Sequence, residues 1–352
     1  MPEPTRDAGG GRGAVLGWIG RALLFAHLAA SPLVFKSETV EVFEFNKVAL
    51  LVVAAVALAW LLAARALRRG RTGLRELLGE PAGAGVLLFL ASAAISTATS
   101  MCPNVSWHGA HESFAGVPTM LAYGALFFAT RALVRHDGDA AFLLAAPVIG
   151  AIGAAGYAFA QVYGVDPIRW GRTSTSGGFT PPFSTMGHPN FLAAYLAAAF
   201  PLLLGLALAA ARARSWLVKP LAFLPALVAV AAAVVVGLTL STPGWLALAA
   251  GVTVLALGWL LSGAWAGSLA TLALVLPLAA AGLVAVGLTT PPAEKVLEHL
   301  EGAAERFPAV PESQRHIWAI SLDIARESPV AGSGLDTFQL AFEHHRTVAY
   351  WN

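Results

Sequence analysis

Side chains suited to handling a phosphate or a hydroxyl gather in three segments of this chain, each set between long apolar blocks. The first, Asp166 to Asn190, reads DPIRWGRTSTSGGFTPPFSTMGHPN, carries Arg169 and Arg172, and runs directly into an apolar block. A loop of that length without regular structure is usually functional or disordered. Its end, Gly187-His188-Pro189-Asn190, reads as a helix start, with Pro189 at the first helical position, where a missing N–H costs nothing. The free amides and positive dipole end of such a helix, beside two guanidinium groups, make a ready place for phosphate. A capped helix with two solvated arginines is the plainer alternative, and the segment alone does not separate the two.

The second segment, Leu240-Ser241-Thr242-Pro243-Gly244-Trp245, turns the chain between two apolar blocks. Pro243 again suits a helix start, and Trp245 reads as an interfacial aromatic anchor. The third runs to the end of the sequence. Residues 293–306 put Val296, Leu297, His299 and Leu300 on or near one face, as for a helix lying on a membrane surface or on the bundle. Residues 313–326 repeat the pattern with Ile317, Ile320, Leu322 and Ile324. Ser313 caps that expected helix, which leaves Arg315 in its first turn, where a cation opposes the dipole and is better tolerated with an anion to bind. Pro329 stops the helix, Gly332 and Gly334 make a turn, and Asp336-Thr337-Phe338 begins a last helical stretch. His344 and His345 are adjacent, point in different directions and make a poor chelate, so no metal site is expected there.

The elements that must position these segments are membrane spans. Of 352 residues, 57% are hydrophobic and 12% charged, against about 25% charged in an ordinary soluble domain. The 22 Lys+Arg and 20 Asp+Glu nearly cancel and fall almost entirely between the apolar blocks. A helix of about 20 apolar residues crosses the hydrocarbon core with every backbone group satisfied internally. Such blocks run roughly 14–35, 46–66, 82–99, 116–132, 139–163, 190–210, 217–240, 244–262 and 266–288. The expectation is an all-α, polytopic membrane helix bundle of about nine spans, with short helices in the C-terminal segment.

Orientation follows from basic residues in the connections, which are retained in the cytoplasm. Arg65, Arg68, Arg69, Arg71 and Arg75 follow the second block, Arg131 and Arg135 follow the fourth, and Arg212, Arg214 and Lys219 lie between the sixth and seventh. With Arg6 and Arg12 also inside, residues 1–13 are a cytoplasmic N-terminus, 14–288 the bundle with its outer loop 164–189, and 289–352 an outer segment. A cleaved signal peptide ending near Ala29 is the rival reading of the first block; the block's length, Arg21, His27 and the spans that follow weigh against it. The single cysteine, Cys102, reads as a small apolar filler. The sequence carries no internal repeat, P-loop or dinucleotide fingerprint.

In order and in placement relative to the spans, the three segments resemble the O-antigen ligase and O-antigen polymerase family of bacterial inner-membrane proteins. The motifs are Gly187-His188-Pro189-Asn190-Phe191-Leu192-Ala193 at the head of a span, then Leu238-Thr239-Leu240-Ser241 before Trp245. Last come Arg315 with Trp318, and Pro329-Val330-x-Gly332-x-Gly334-x-x-Thr337-Phe338. The resemblance implies an integral-membrane glycosyltransferase. It would move a glycan from an undecaprenyl-pyrophosphate carrier to an acceptor at the periplasmic face: lipid A core, another glycan or a protein hydroxyl. It implies membrane lipid and no nucleic acid as partners, and no nucleotide sugar, metal or other cofactor. By carry-over, Arg172 and Arg315 contact pyrophosphate, with Arg169 beside them, and the helix start at His188 to Asn190 places the carrier. Guanidinium forks match phosphate oxygens bidentately, which agrees with that division of labour.

Two departures accompany the resemblance. The family's Ser-Arg pair reads Ser241-Thr242 here, so one phosphate-binding arginine is missing. The family's catalytic His-Asn pair lies further along its large loop than Asn352, which gives the chain the look of a C-terminally truncated member. The rival function is therefore a non-catalytic or degenerate membrane protein that binds or transports a polyprenyl-linked glycan. Span interiors almost free of charge favour an enzyme at the outer surface over an ion-coupled transporter.

Overall fold

The structure, a computed structural model, describes residues 8–69, 80–170, 179–211, 222–261 and 312–345. Regular structure among them is helical throughout: α1 Ala8–Ala30, α2 Glu44–Arg69, α3 Pro81–Ala98, α4 Pro103–His108, α5 Val117–Leu133, α6 Asp137–Leu144, α7 Ala146–Val162, α8 Pro189–Ala211, α9 Phe223–Leu238, α10 Thr242–Leu261, α11 Glu312–Glu327 and α12 Phe338–His345. Proline marks the starts. It occupies the first or second position of α3, α4, α5 and α7, and Pro189 and Pro243 do the same for α8 and α10. There its fixed φ is already helical and no hydrogen bond is lost. Between these starts the runs of Ala and Leu have high helix propensity and no polar side chain to compete with the backbone.

Five helical stretches are long and apolar enough to cross a membrane: Gly13–Ala30, Glu44–Ala64, Pro81–Ala98, Asp137–Val162 and Pro189–Ala211. Val117–Leu133, Phe223–Leu238 and Thr242–Gly258 are shorter apolar helices. These eight stretches correspond to the first eight expected blocks; the ninth, 266–288, lies outside the described residues, as does the expected helix 293–306. The share of these windows buried within the protein runs from 11% for Pro81–Ala98 to 56% for Pro189–Ala211. Val53, Trp60, Leu88, Phe223 and Val254 are all exposed by more than half. Apolar helices with large side chains exposed on that scale have the character of a protein solvated by lipid rather than water.

The chain divides into two compact units. One comprises Met1–Ser31, Glu38–Leu143 and Ala309–Asn352, the other Pro32–Ser37 and Leu144–Pro308. In the first, α2 and α5 pack together and both contact α1, while α3 lies against α5. Leu24, Leu58, Leu61, Ala129, Leu133 and Leu143 form its main core. Gly20 lets α1 approach closely, since a Cβ there would meet the Leu133 and Leu61 side chains. In the second unit α8 is central, contacted by α7, α9 and α10. Its Leu192, Leu196, Phe200, Leu203 and Leu204 are buried, and α7 meets this core through Ala151, Ala154, Ala155 and Ala158. Small residues at that spacing are how helices approach one another where no hydrophobic effect drives them.

Some boundaries differ from the sequence-based expectation. α1 stops at Ala30 rather than near 35, because Pro32 offers no amide and restricts the residue before it. The stretch 100–113, expected as plain loop, contains the short α4. α11 begins at Glu312, so Ser313 is inside the helix and not its cap.

Candidate functional site

In the second unit, α7 ends in Tyr157 and Gln161, which stand one above the other on the same helix face. Both reach Asp166, just past the turn. Asp166 Oδ1 accepts hydrogen bonds from the Tyr157 hydroxyl (2.8 Å) and the Ile168 amide (2.8 Å). Oδ2 accepts from Trp170 Nε1 (2.8 Å) and Gln161 Nε2 (3.3 Å). Burial pushes the Asp166 pKa up, but the Ile168 amide and then Trp170, Tyr157 and Gln161 outweigh it and hold the carboxyl below its ordinary value. Four donors leave this carboxylate committed to structure.

The knot extends to the far end of the loop. Gln161 Oε1 accepts the amides of Ser184 (2.7 Å) and Phe183 (3.1 Å). The buried Ser184 hydroxyl donates to the Ala154 carbonyl at 2.7 Å, and Thr185 donates to the Pro32 carbonyl at 2.6 Å. Trp170 meets Phe183 edge-on and Phe35 at a tilt. Arg169 lies between Ile168 and Trp170, both of which hold Asp166, so its backbone is pinned. Its side chain is exposed and makes no hydrogen bond or ion pair among the described residues. Arg172 lies outside the described residues.

Gly187, at φ 78°, turns the chain into α8. His188 then caps the helix unaided. Its Nδ1 accepts the Asn190 amide at 3.1 Å, and its carbonyl accepts the Phe191 and Leu192 amides. The free amides expected at this helix start are thus already partnered. With Nδ1 accepting, a neutral His188 ring carries its proton on Nε2 and presents a donor outward from an exposed position. The second motif lies alongside. Ser241 Oγ accepts the Gly244 amide (3.2 Å), Trp245 Nε1 donates to the Val236 carbonyl (3.0 Å), and Gly244 sits so close to Ala193 that a Cβ would overlap it. The heads of α8 and α10 are therefore in contact.

The third motif belongs to the first unit. α11 buries Ile320 and Ile324 against Ala341 and Phe342 of α12. Arg315, Trp318 and Leu322, spaced to share a face, are all exposed. Arg315 makes no hydrogen bond or ion pair among the described residues. After α11, Gly332 (φ 72°) and Gly334 (φ 126°) bring the chain against loop 99–116. A Cβ on Gly334 would collide with Ser100 and Ser106. The Met101 amide donates to the Ser333 carbonyl at 2.9 Å and Ser106 Oγ to the Leu335 carbonyl at 2.8 Å. Asp336 Oδ2 accepts the Ala110 amide (2.6 Å), the Ser113 hydroxyl (2.5 Å) and the Ala115 amide (3.1 Å). Thr337 is fully buried, and its carbonyl accepts the Ala341 amide in the first turn of α12.

No family model, no curated protein and no solved structure matches this chain. The structure brings the first two motifs together in one unit and docks the third within the other. Asp166 and Asp336, the two organising carboxylates, were not singled out as site residues by sequence reasoning. Their signal was present in retrospect: each is an acidic residue in a chain that has few, at the edge of a polar segment.

Proposed function

We propose that this chain is an integral-membrane glycan transferase of the O-antigen ligase type, acting at the periplasmic face of a bacterial inner membrane. The acceptor hydroxyl oxygen attacks the anomeric carbon of the carried glycan and gives up its proton to water. The bond from that carbon to the pyrophosphate oxygen breaks, and undecaprenyl pyrophosphate departs as the anion. Arg169 and Arg172 neutralise it, and His188 with Asn190 at the head of α8 orients the carrier; the resemblance assigns a pyrophosphate contact to Arg315 as well. The observation that carries this reading is the contact of Ala193 with Gly244, which makes neighbours of the two motif-bearing helix heads in the unit whose Arg169 is exposed and unpaired among the described residues.

Sidedness is inferred from which segments meet in the first unit. Glu41 pairs with His111 (3.3 Å), and loop 99–116 binds residues 333–336, all of them expected outside. Arg21 pairs with Asp139 (3.1 Å) and Arg131 with Glu80, all expected near the cytoplasmic ends. One observation favours the rival reading, a protein that binds a polyprenyl-linked glycan without transferring it: Thr242 stands where the resemblance calls for arginine.

The test uses the full chain in proteoliposomes with a photoreactive undecaprenyl-pyrophosphate oligosaccharide. Crosslinking that unlabelled undecaprenyl pyrophosphate competes away, and undecaprenol does not, is the expected result. Release of sugar-free carrier on adding acceptor identifies transfer, and competition without release identifies binding alone. Crosslinking that undecaprenol displaces equally well overturns pyrophosphate recognition.

A further inference from the structure

Glu41, in the turn between α1 and α2, and His111 with Glu112, in the loop between α4 and α5, each offer one ligand atom within 4.8 Å of the other two. His111 Nδ1 is 3.3 Å from Glu41 Oε1. Donors around a four-coordinate divalent cation stand about 3.3 Å apart, at metal distances of about 2.0–2.2 Å. Small side-chain rotations would therefore bring the three together on one ion.

Glu112 is at φ 82° and Phe114 at φ 50°, conformations that a residue with a Cβ adopts only when its surroundings impose them. Here the imposing group is Asp336, whose hydrogen bonds to Ala110, Ser113 and Ala115 bracket residues 111 and 112 on both sides. The pair His111-Glu112 is thus presented by a shaped loop. His111 and Glu112 are exposed and Glu41 half-buried, which leaves the remaining coordination positions open to water.

We infer that Glu41, His111 and Glu112 form a binding site for a divalent transition-metal cation of the Zn2+ class. An imidazole with two carboxylates suits such a cation, whereas Mg2+ and Ca2+ take oxygen ligands alone. The ion ties the α1–α2 turn to the α4–α5 loop and, through Asp336, steadies the docking of residues 333–345. Its role is a structural tie, and it does not depend on the transfer reaction proposed above.

The test is a Zn2+ titration of the full chain in lipid nanodiscs, stripped with chelator and kept in excess Mg2+, followed by calorimetry. Glu41→Gln, His111→Ala and Glu112→Gln are compared with a His344→Ala/His345→Ala control. The expected result is saturable binding that weakens roughly tenfold or more in each of the three single variants and is unchanged in the control. Binding that is absent, unchanged in the three, or lost in the control alone overturns the site. Hydrogen exchange of residues 108–116 in the unaltered chain gives a readout free of any folding defect: Zn2+ slows it if the site exists, and unchanged exchange overturns the proposal.

Discussion

Asp336 accepts a 2.5 Å hydrogen bond from the hydroxyl of Ser113, a residue 223 positions earlier in the chain. The same oxygen takes the Ala110 and Ala115 amides, so one carboxylate holds the segment that carries Arg315 against the α4–α5 loop. Hydrogen bonds to an ionised group contribute about 1.5–3 kcal/mol each. Asp336→Ala is expected to lower the local opening free energy of residues 328–345 by about 2–4 kcal/mol. Asp336→Asn, which keeps one acceptor and loses the charge, should cost less. Native-state hydrogen exchange at the Ala110 and Ala115 amides reads both effects.

A second carboxylate ties Ile168 and Trp170 to the end of α7 in the other unit. Because the folded pKa of Asp166 lies below its ordinary value of 3.8, the stability it contributes is fully present above that value and is lost as pH falls through the folded pKa. Exchange of the Ile168 amide and the Trp170 indole N–H, both donated to Asp166, should therefore stay slow at pH 5 and accelerate only below 3.8. Asp166→Asn should lose that protection at neutral pH, since an amide cannot accept from all four donors. Equal protection of the variant and the unaltered chain at pH 7 would remove Asp166 from this role.

The helical hairpin of α11 and α12 titrates in the opposite sense. His345 donates from Nδ1 to the Ala341 carbonyl (2.8 Å) and pairs through Nε2 with Glu327 (3.0 Å), and these partners raise its pKa above the ordinary 6.5. A raised pKa gives stability that is complete below 6.5 and is lost as pH rises through the folded value. Intrinsic-rate-corrected exchange of residues 338–345 should accelerate between pH 6 and pH 8.5 in the unaltered chain, and His345→Gln should abolish that dependence. His344→Gln should leave it in place.

The contact of the α8 and α10 heads rests on a residue without a side chain. Gly244→Val forces a branched side chain into the space taken by the Ala193 methyl and by Ser241, and overpacking of that kind costs about 1–3 kcal/mol. The thermal midpoint of the purified protein in detergent should fall by several degrees. An equivalent change at Gly258, which has nothing within 4 Å among the described residues, should leave it nearly unchanged.

Helix existence was legible in the sequence where the signal is local. Pro189 and Pro243 announce α8 and α10 because a helix start tolerates proline wherever the rest of the chain lies. The end of α1 is not legible from apolar content, which continues through Pro32, whose ring stops the helix whatever its hydropathy. The head of α8 was legible in position and not in detail. That His188 would turn its own ring back on the Asn190 amide depends on a rotamer, which no residue pattern specifies. Least legible were the Asp336 clamp and the Glu41, His111 and Glu112 cluster, whose partners are joined only when three separate loops converge.

Arg315 remains the sharpest test of the proposed chemistry. It is exposed, unpaired among the described residues and shares a face with Trp318 and Leu322, an arrangement that offers a fork to a phosphate and apolar surface to a prenyl chain. Lysine at this position keeps the charge and loses the bidentate geometry. If Arg315 grips pyrophosphate, Arg315→Lys should weaken competition by undecaprenyl pyrophosphate in the crosslinking assay by roughly tenfold, equivalent to about 1.4 kcal/mol. Arg326, already paired with Asp323 at 2.9 Å on the same helix, is the control, and Arg326→Lys should have little effect. Equal effects at the two positions would mean that the assay reads net charge near the membrane, and Arg315 would then be a surface cation and no part of a site.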